Sequence, residues 1–376
     1  MKIAFVSFMR MADWGGSEEL WSKTALRALA EGHQVESLTC HWEPISPRIA
    51  KLAAAGVETK FYQGDSRAFS DRLAVKLGLK KGRSEIVPSI EADVYVFSNG
   101  STWDFISNRK ITDKIIALNK PFILLSHNTS EFGGILDGER REYAISVLQK
   151  ASKALFVSEG TRKGAERQSA YNIPNAQIIG NPINIREAGI KSFPISDGLL
   201  MASVGSLECS LKGQDQLLES LSSEIWKKRD FLLKIYGKGP HNDYLHALIK
   251  FYGLEGKVVI EGHVSDVDRI WETNQVLILS SVTEGAPMVI VEAMLSGRAV
   301  LGTDVGGVDR YVQEGQTGFL VEVAKAKYLA AGLEKLWNNR NGLKQMGENA
   351  FHRASAVTDT HPEQTFLNII ESTYCS

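Results

Sequence analysis

Residues 280–307, SSVTEGAPMVIVEAMLSGRAVLGTDVGG, constrain the fold of this chain more tightly than any other stretch. They read as the end of a buried strand, a Gly-Ala-Pro turn, a helix of about three turns, a second short apolar strand and a Gly-Gly loop. Pro287 suits the first helical position, where its missing N–H would have had no partner. The backbone N–H groups of Ala286, Met288 and Val289 would then point out of the helix start, which makes a ready anion site.

Glu284 stands before this turn and Glu292 about a turn and a half into the helix. At 1.5 Å rise per residue the two carboxylates are separated by roughly 9–12 Å. On a helical wheel Val289, Ile290, Ala293, Met294 and Gly297 form the buried arc, with Glu292 just outside it beside Ser296, free to face a cleft. Acceptors on both sides of an anion-binding turn suit a ligand with hydroxyls at each end and a diphosphate between them, as in a nucleotide sugar. An ordinary use of acidic residues fits the pair as well, one favouring the helix dipole and the other solvated.

The rest of the chain repeats the rhythm of strand, glycine loop and helix. Residues 3–8 form a strand, Gly15 and Gly16 a loop, and residues 17–31 a helix, the opening unit of a doubly wound α/β domain. No G-x-G-x-x-G is present, which argues against a dinucleotide cofactor. Further strands are read at 34–39, 57–62, 94–97, 122–125, 154–158 and 176–180, then at 199–204, 231–236, 258–261 and 319–321. His127 follows the strand at 122–125, and in open α/β sheets ligands sit beyond the carboxyl ends of strands. A loop histidine bonded to backbone is the structural alternative. The polar, Gly- and Pro-containing run up to Gly198 reads as a linker between two domains.

Glu-x7-Glu inside EGAPMVIVEAMLSGRAV, followed by Gly306-Gly307 and EGQTGFLV, resembles the donor-binding signature of family 4 of the retaining glycosyltransferases. The resemblance implies the GT-B fold, two Rossmann-like doubly wound domains facing each other across a cleft, with the C-terminal helix crossing back to the first. It places the N-terminal, acceptor-side domain at 1–185, the nucleotide-sugar domain at 186–355 and the returning helix at 356–376. Residue by residue it implies that Gly15 and Gly16 let backbone approach the donor phosphates and that His127 lies near the reacting sugar. Lys212 and the turn Gly285-Ala286-Pro287-Met288-Val289 would meet the diphosphate, and Glu284 hydroxyls of the transferred sugar. Glu292 would hold ribose hydroxyls, and Gly262-His263-Val264 the nucleobase through backbone groups. His127, Lys212 and Glu284 are the catalytic candidates. Ser206 stands where the family places an arginine, so one charged fork is replaced by a neutral hydroxyl.

The implied reaction moves a sugar from a UDP-, GDP-, ADP- or TDP-linked donor to the hydroxyl of a glycan, lipid or small-molecule acceptor, with anomeric configuration retained. A nucleotide-sugar epimerase of the same fold and a non-catalytic nucleotide-sugar-binding relative are the alternatives. No cofactor and no metal are implied, since no Asp-x-Asp or Glu-x-Asp triplet is read in a loop suited to a metal. Helix dipoles and Lys212 would do the charge work of a Mg²⁺. Trp14, Trp42 and Trp103 can stack on an acceptor sugar, with buried packing the alternative.

Length and charge agree with this frame. At 376 residues two hydrophobic cores are expected, and a formal net charge of −1 supplies no global field for nucleic acid. Cys40, Cys209 and Cys375 fit no metal or disulfide pattern, which leaves a reducing cytoplasm as the expected location. The first apolar run is too short for a signal peptide, and none approaches the roughly 18–20 residues that cross a bilayer. The basic segment 67–83, with Arg72, Lys76, Lys80 and Lys81, reads as a solvated helix face or as a weak contact with an anionic acceptor or the inner membrane surface.

Overall fold

Short β-branched and aromatic runs between glycine-rich turns become parallel strands when helices cover both of their faces. The computed structural model of the chain describes residues 1–10, 13–62, 88–130 and 133–375. The basic segment 67–83 lies outside them. Two compact units are formed, Met1–Pro182 with His361–Ser376, and Ile183–Thr360.

Among the described residues the first unit holds seven strands, β1 (Lys2–Ser7), β2 (Gln34–Cys40), β3 (Glu58–Tyr62), β4 (Val94–Asn99), β5 (Phe122–Ser126), β6 (Lys153–Phe156) and β7 (Ala176–Ile178). All pair in parallel, in the order β3-β2-β1-β4-β5-β6-β7. Alternate residues feed two cores. Ala4, Val6, Tyr95 and Phe97 pack on one face, and Ile3, Phe5, Val94 and Val96 on the other. The last helix, Pro362–Tyr374, joins the second of these cores through Phe366, Leu367 and Ile370, all 0% exposed. Phe366 meets the ring of Phe5 edge-on at 6.4 Å, and each such burial contributes about 1.5–3 kcal/mol.

The second unit holds β8 (Leu199–Val204), β9 (Phe231–Tyr236), β10 (Val258–Gly262), β11 (Val276–Leu279), β12 (Ala299–Thr303) and β13 (Gly318–Val321), ordered β10-β9-β8-β11-β12-β13. Strand order reverses between β1 and β4 in one sheet and between β8 and β11 in the other. Loops diverge at such points and leave a crevice at the carboxyl edge.

The run expected to be a linker is part of the second unit. Ile183 and Ile185 enter its core, and Gly189 N and Lys191 N donate to Leu295 O and Ser296 O. Arg298, fully buried, ties the run down by donating to Lys191 O and Ser192 O, and also to Trp271 O, Asn274 O, Ser296 O and Gly297 O. Those carbonyls close the helices Val267–Thr273 and Met288–Leu295, whose negative dipole ends suit a cation.

Candidate active site

The loops after β8 and β11 meet at the reversal point of the second sheet. Gly213 sits in the left-handed region (φ 60°), and a Cβ there would lie 2.2 Å from Ser280 O. Only glycine lets the two loops touch. The short helix Cys209–Lys212 ends at this contact and projects Lys212 toward residue 284. Lys212 Nζ donates to Glu284 Oε1 at 2.5 Å, and Ser281 Oγ donates to the same oxygen at 2.6 Å. Lys212 is therefore paired with Glu284, where the sequence implied two separate contacts, one to phosphate and one to sugar. An anionic ligand arriving here competes with Glu284 for the ammonium.

Gly306, also left-handed (φ 60°), backs this pair. A Cβ on it would stand 2.5 Å from Glu284 O and 2.6 Å from Glu284 Cβ. Gly306→Ala is expected to cost about 1–3 kcal/mol and to shift Glu284, read as a lower melting temperature together with weaker transfer. An unchanged melting temperature would show that the loop relaxes freely.

The helix starts one residue later than expected. Pro287 (φ −72°, ψ 102°) is extended and caps the helix Met288–Leu295, which has about two turns where three were read. Gly297 (φ 75°) and Arg298 N donating to Ala293 O end it early. The N–H groups of Ala286, Met288 and Val289 make no hydrogen bond among the described residues, and all three residues are partly exposed. Charge-seeking donors thus stand beside an ammonium at one accessible turn.

Glu292 departs from its expected place. It is 4% exposed, and its Oε1 accepts from Asn184 N and Asn184 Nδ2, both at 3.1 Å. The helix wheel failed because residues 183–185 fold over the face that was expected to be open. Ile290, Val291, Ala293, Met294 and Leu295 are all buried as well, since β11, β12 and the helix Leu343–Val357 close the other sides.

The remaining donor-side candidates lie on loops of the same sheet edge. Ser206 is exposed, and its carbonyl accepts from Gln214 Nε2 at 2.8 Å. Gly262 (φ 74°) accepts from Gly237 N at 2.8 Å, His263 is exposed, and Val264 packs on the core. Two acidic triplets do exist. Asp266-Val267-Asp268 opens a helix, with Asp266 paired to Arg186 and Asp268 to Lys191, each at 2.9 Å. In Glu91-Ala92-Asp93, Asp93 accepts from Lys2 N at 2.7 Å. The Asp266, Asp268 and Asp93 carboxylates are thus engaged by protein donors.

In the first unit Gly15 (φ −152°) caps the helix Gly16–Ala30, with Glu18 N donating to Gly15 O at 3.0 Å. His127 leaves β5 with its N–H on Asn99 O, and its Nε2 lies 3.5 Å from Ser98 Oγ. Its ring is buried and Nδ1 has no hydrogen-bond partner. Burial pulls its pKa down from 6.5 to about 4, and the nearby Asn181 side chain pulls weakly the other way without completing a bond to Nδ1. The imidazole is neutral at pH 7. Sequence reasoning passed over Glu18, which is buried and accepts from Trp21 Nε1 at 2.8 Å, Ser7 Oγ at 3.0 Å and Ser17 Oγ at 3.3 Å. Burial pushes its carboxyl up from 4.5 to about 7 against those three bonds. The available signal was helical spacing, since Glu18 shares the face of Trp21 and Ala25.

Residues 186–353 match the family described as Glycosyl transferases group 1. An uncharacterized glycosyltransferase of Haemophilus influenzae is 34% identical over 281 residues, covering 72% of this chain and 74% of that protein. The chain belongs to the group 1 glycosyltransferases. The alpha-D-kanosaminyltransferase of Streptomyces kanamyceticus is 23% identical over 292 residues, covering 73% of this chain and 75% of that enzyme. Crystal structures of Anabaena HepE with UDP (TM-score 0.73, 18% identity, 99% and 100% coverage) and of a Rickettsia africae glycosyltransferase (0.74, 18%, 99% and 98%) share the GT-B fold.

The two buried titratable groups of this glycosyltransferase, His127 and Glu18, make opposed pH signatures. A histidine with a depressed folded pKa contributes stability that is present above about pH 6.5 and is lost as pH falls toward 4. A carboxyl with a raised folded pKa contributes stability that is present below about pH 4.5 and is lost as pH rises toward 7. Relative to His127→Gln, the parent is expected to lose about 3 kcal/mol on acidification through the first window. Relative to Glu18→Gln, it is expected to lose a similar amount on alkalinisation through the second. Denaturant unfolding across pH 4–8 checks both, and parallel curves for parent and variant would contradict the assignment.

Proposed function

We propose that this glycosyltransferase moves a hexosyl group from a nucleoside-diphosphate sugar to an acceptor hydroxyl of a glycan, lipid or small molecule, retaining anomeric configuration and needing no metal. The observation that carries the reading is the Lys212–Glu284 pair beside the unpartnered N–H groups at the start of the Met288–Leu295 helix. The barrier to transfer is separation of a diphosphate from an oxocarbenium-like sugar, so fixed donors aimed at the leaving charge lower it most. Structures of HepE with UDP, UDP-glucose, and UDP plus glucose support a donor of this chemical kind.

Lys212 and the three N–H groups receive the diphosphate, and Glu284, released by the ammonium, accepts hydroxyls of the transferred sugar. Glu292 holds Asn184 in place against the same helix and orients the ribose end. Gly262 and His263 present backbone to the base. In the first unit Gly15 and Gly16 leave room for phosphate, and neutral His127 offers Nδ1 as a hydrogen-bond partner near the reacting carbon. The reaction is placed in the cytoplasm. Among the described residues no helix is long and apolar enough to cross a membrane.

Thermal unfolding in the presence of UDP-, GDP-, ADP- and TDP-sugars tests this, because a ligand bound only by the folded state raises the melting temperature. One nucleotide class is expected to do so in EDTA, and the glycoside formed from an α-linked donor is expected to be α-linked by NMR. An inverted product, a requirement for divalent metal, or conversion of the donor without any acceptor would overturn the reading.

A further inference from the structure

Lys212, the cation paired with Glu284, is carried by a helix of a single turn, Cys209–Lys212. So short a helix has little stability of its own, because the cost of fixing its first turn is not recovered by later ones. Its leading N–H groups need acceptors from elsewhere. Glu208, at the N-cap, turns its carboxylate aside, and Oε1 accepts from Ser210 Oγ at 2.6 Å. The acceptor comes from 32 residues along the chain, where His241 Nδ1 accepts from Cys209 N at 2.9 Å.

The imidazole is fixed at its root. His241 N donates to Leu207 O and Leu207 N to Lys238 O, both at 3.0 Å, which ties the loop after β9 to the loop after β8. Between these bonds Gly239 lies so close that a Cβ on it would stand 2.5 Å from Leu207 O. His241 O accepts from Leu245 N at 2.9 Å and starts the helix Asn242–Phe251. A ring nitrogen accepts only while it carries no proton. An imidazolium here would set N–H against N–H, and Glu208 Oε1, 3.9 Å from Nδ1, would draw it away from Cys209. The titratable groups beside the ring include Glu208 and Cys209 from the short helix and Tyr244, which meets it edge-on at 6.2 Å, from the helix that follows.

We infer that neutral His241 positions Lys212 by closing the turn that aims its ammonium, and that protonating the ring opens the turn and loosens the grip on the donor's diphosphate. The inference rests on the transfer reading above and adds a positioning residue to it. Its effect is greatest once Glu284 has turned to the sugar, because the ammonium is then held by its turn and the ligand.

The full-length protein is titrated calorimetrically with UDP, GDP, ADP and TDP and with the matching nucleosides. His241→Leu removes the acceptor, whereas His241→Asn keeps one, its Oδ1 falling near the place of Nδ1. His241→Leu is expected to weaken binding of the diphosphate that the parent takes by about five-fold, the scale of losing a helix cap, and to leave the nucleoside unchanged. His241→Asn is expected to restore most of that loss. In a Lys212→Ala background His241→Leu is expected to cost nothing further, which a general loosening of the fold would not spare. Between about pH 8 and about pH 5.5 the parent is expected to lose about five-fold in affinity relative to His241→Asn, a ratio from which protonation of the nucleotide itself cancels. That comparison stands even if His241→Leu does not fold. Equal losses for diphosphate and nucleoside, no rescue by His241→Asn, losses that add in the double variant, or a ratio flat across pH while Lys212→Ala weakens binding would overturn the inference alone. Diphosphate binding that Lys212→Ala leaves intact would bring down the transfer reading and this inference with it.

Discussion

Replacing Lys212 by alanine is expected to lower kcat/KM for sugar transfer by about 10²–10³-fold, the usual loss on removing one preorganised charge-stabilising donor. Two effects add. On the proposed reading the ammonium no longer meets the leaving diphosphate, and Glu284, only 11% exposed at its side chain, is left with Ser281 as its partner among the described residues and repels the incoming anion. The second effect can be separated from the first. In Lys212→Ala/Glu284→Gln the repulsion is gone, so nucleotide binding is expected to recover part of its loss although transfer does not. Steady-state kinetics and nucleotide titration on the parent, both single variants and the double variant form a cycle that measures this coupling. Strictly additive losses in nucleotide affinity would show that Glu284 does not compete with the donor for Lys212.

Arg298→Met is expected to destabilise the second unit by about 3–5 kcal/mol, because several buried carbonyl acceptors lose their donor at once and each one left unsatisfied costs about 1–3 kcal/mol. The side chain fills its site and donates six hydrogen bonds to carbonyls at 2.6–3.3 Å, with no carboxylate among them. Burial pulls its pKa down to about 10, so it stays charged near neutrality. Methionine fills much of the volume but leaves those acceptors dry, and each unsatisfied buried group carries its own desolvation cost. Arg298→Lys is expected to lose less, because one ammonium retains the charge but cannot span acceptors from residues 191–192, 271, 274 and 296–297 at once. Denaturant unfolding decides it, and a loss below about 1 kcal/mol for Arg298→Met would mean that water replaces the guanidinium.

How far the sequence reveals this molecule depends on how local the cause is. The strands Leu199–Val204 and Phe231–Tyr236 are found with their observed bounds because an apolar run flanked by glycine and charge needs no distant partner. Likewise the turn at 284–287 and the closeness of Lys212 to it follow from parallel topology, which brings loops after β8 and β11 together. What escaped has its cause far along the chain. Glu292 is buried by Asn184, 108 residues away, and no periodicity encodes that. Glu18 was passed over because its carboxyl is enclosed by Ser7 of the preceding strand as well as by Trp21 of its own helix. Arg298, in the middle of an apolar stretch, carried the plainest unread signal, since an arginine between a helix and a buried strand must find acceptors or leave the core.

Binding of the nucleotide at the Lys212 turn is tested most directly by calorimetric titration of UDP, GDP, ADP and TDP, in EDTA, into the parent and into Lys212→Ala. One nucleoside diphosphate is expected to bind the parent, to bind it more tightly than the corresponding nucleoside, and to lose at least ten-fold in affinity in the variant. Equal affinity for the nucleoside and its diphosphate, or for parent and variant, would place the leaving group somewhere other than the start of the Met288–Leu295 helix.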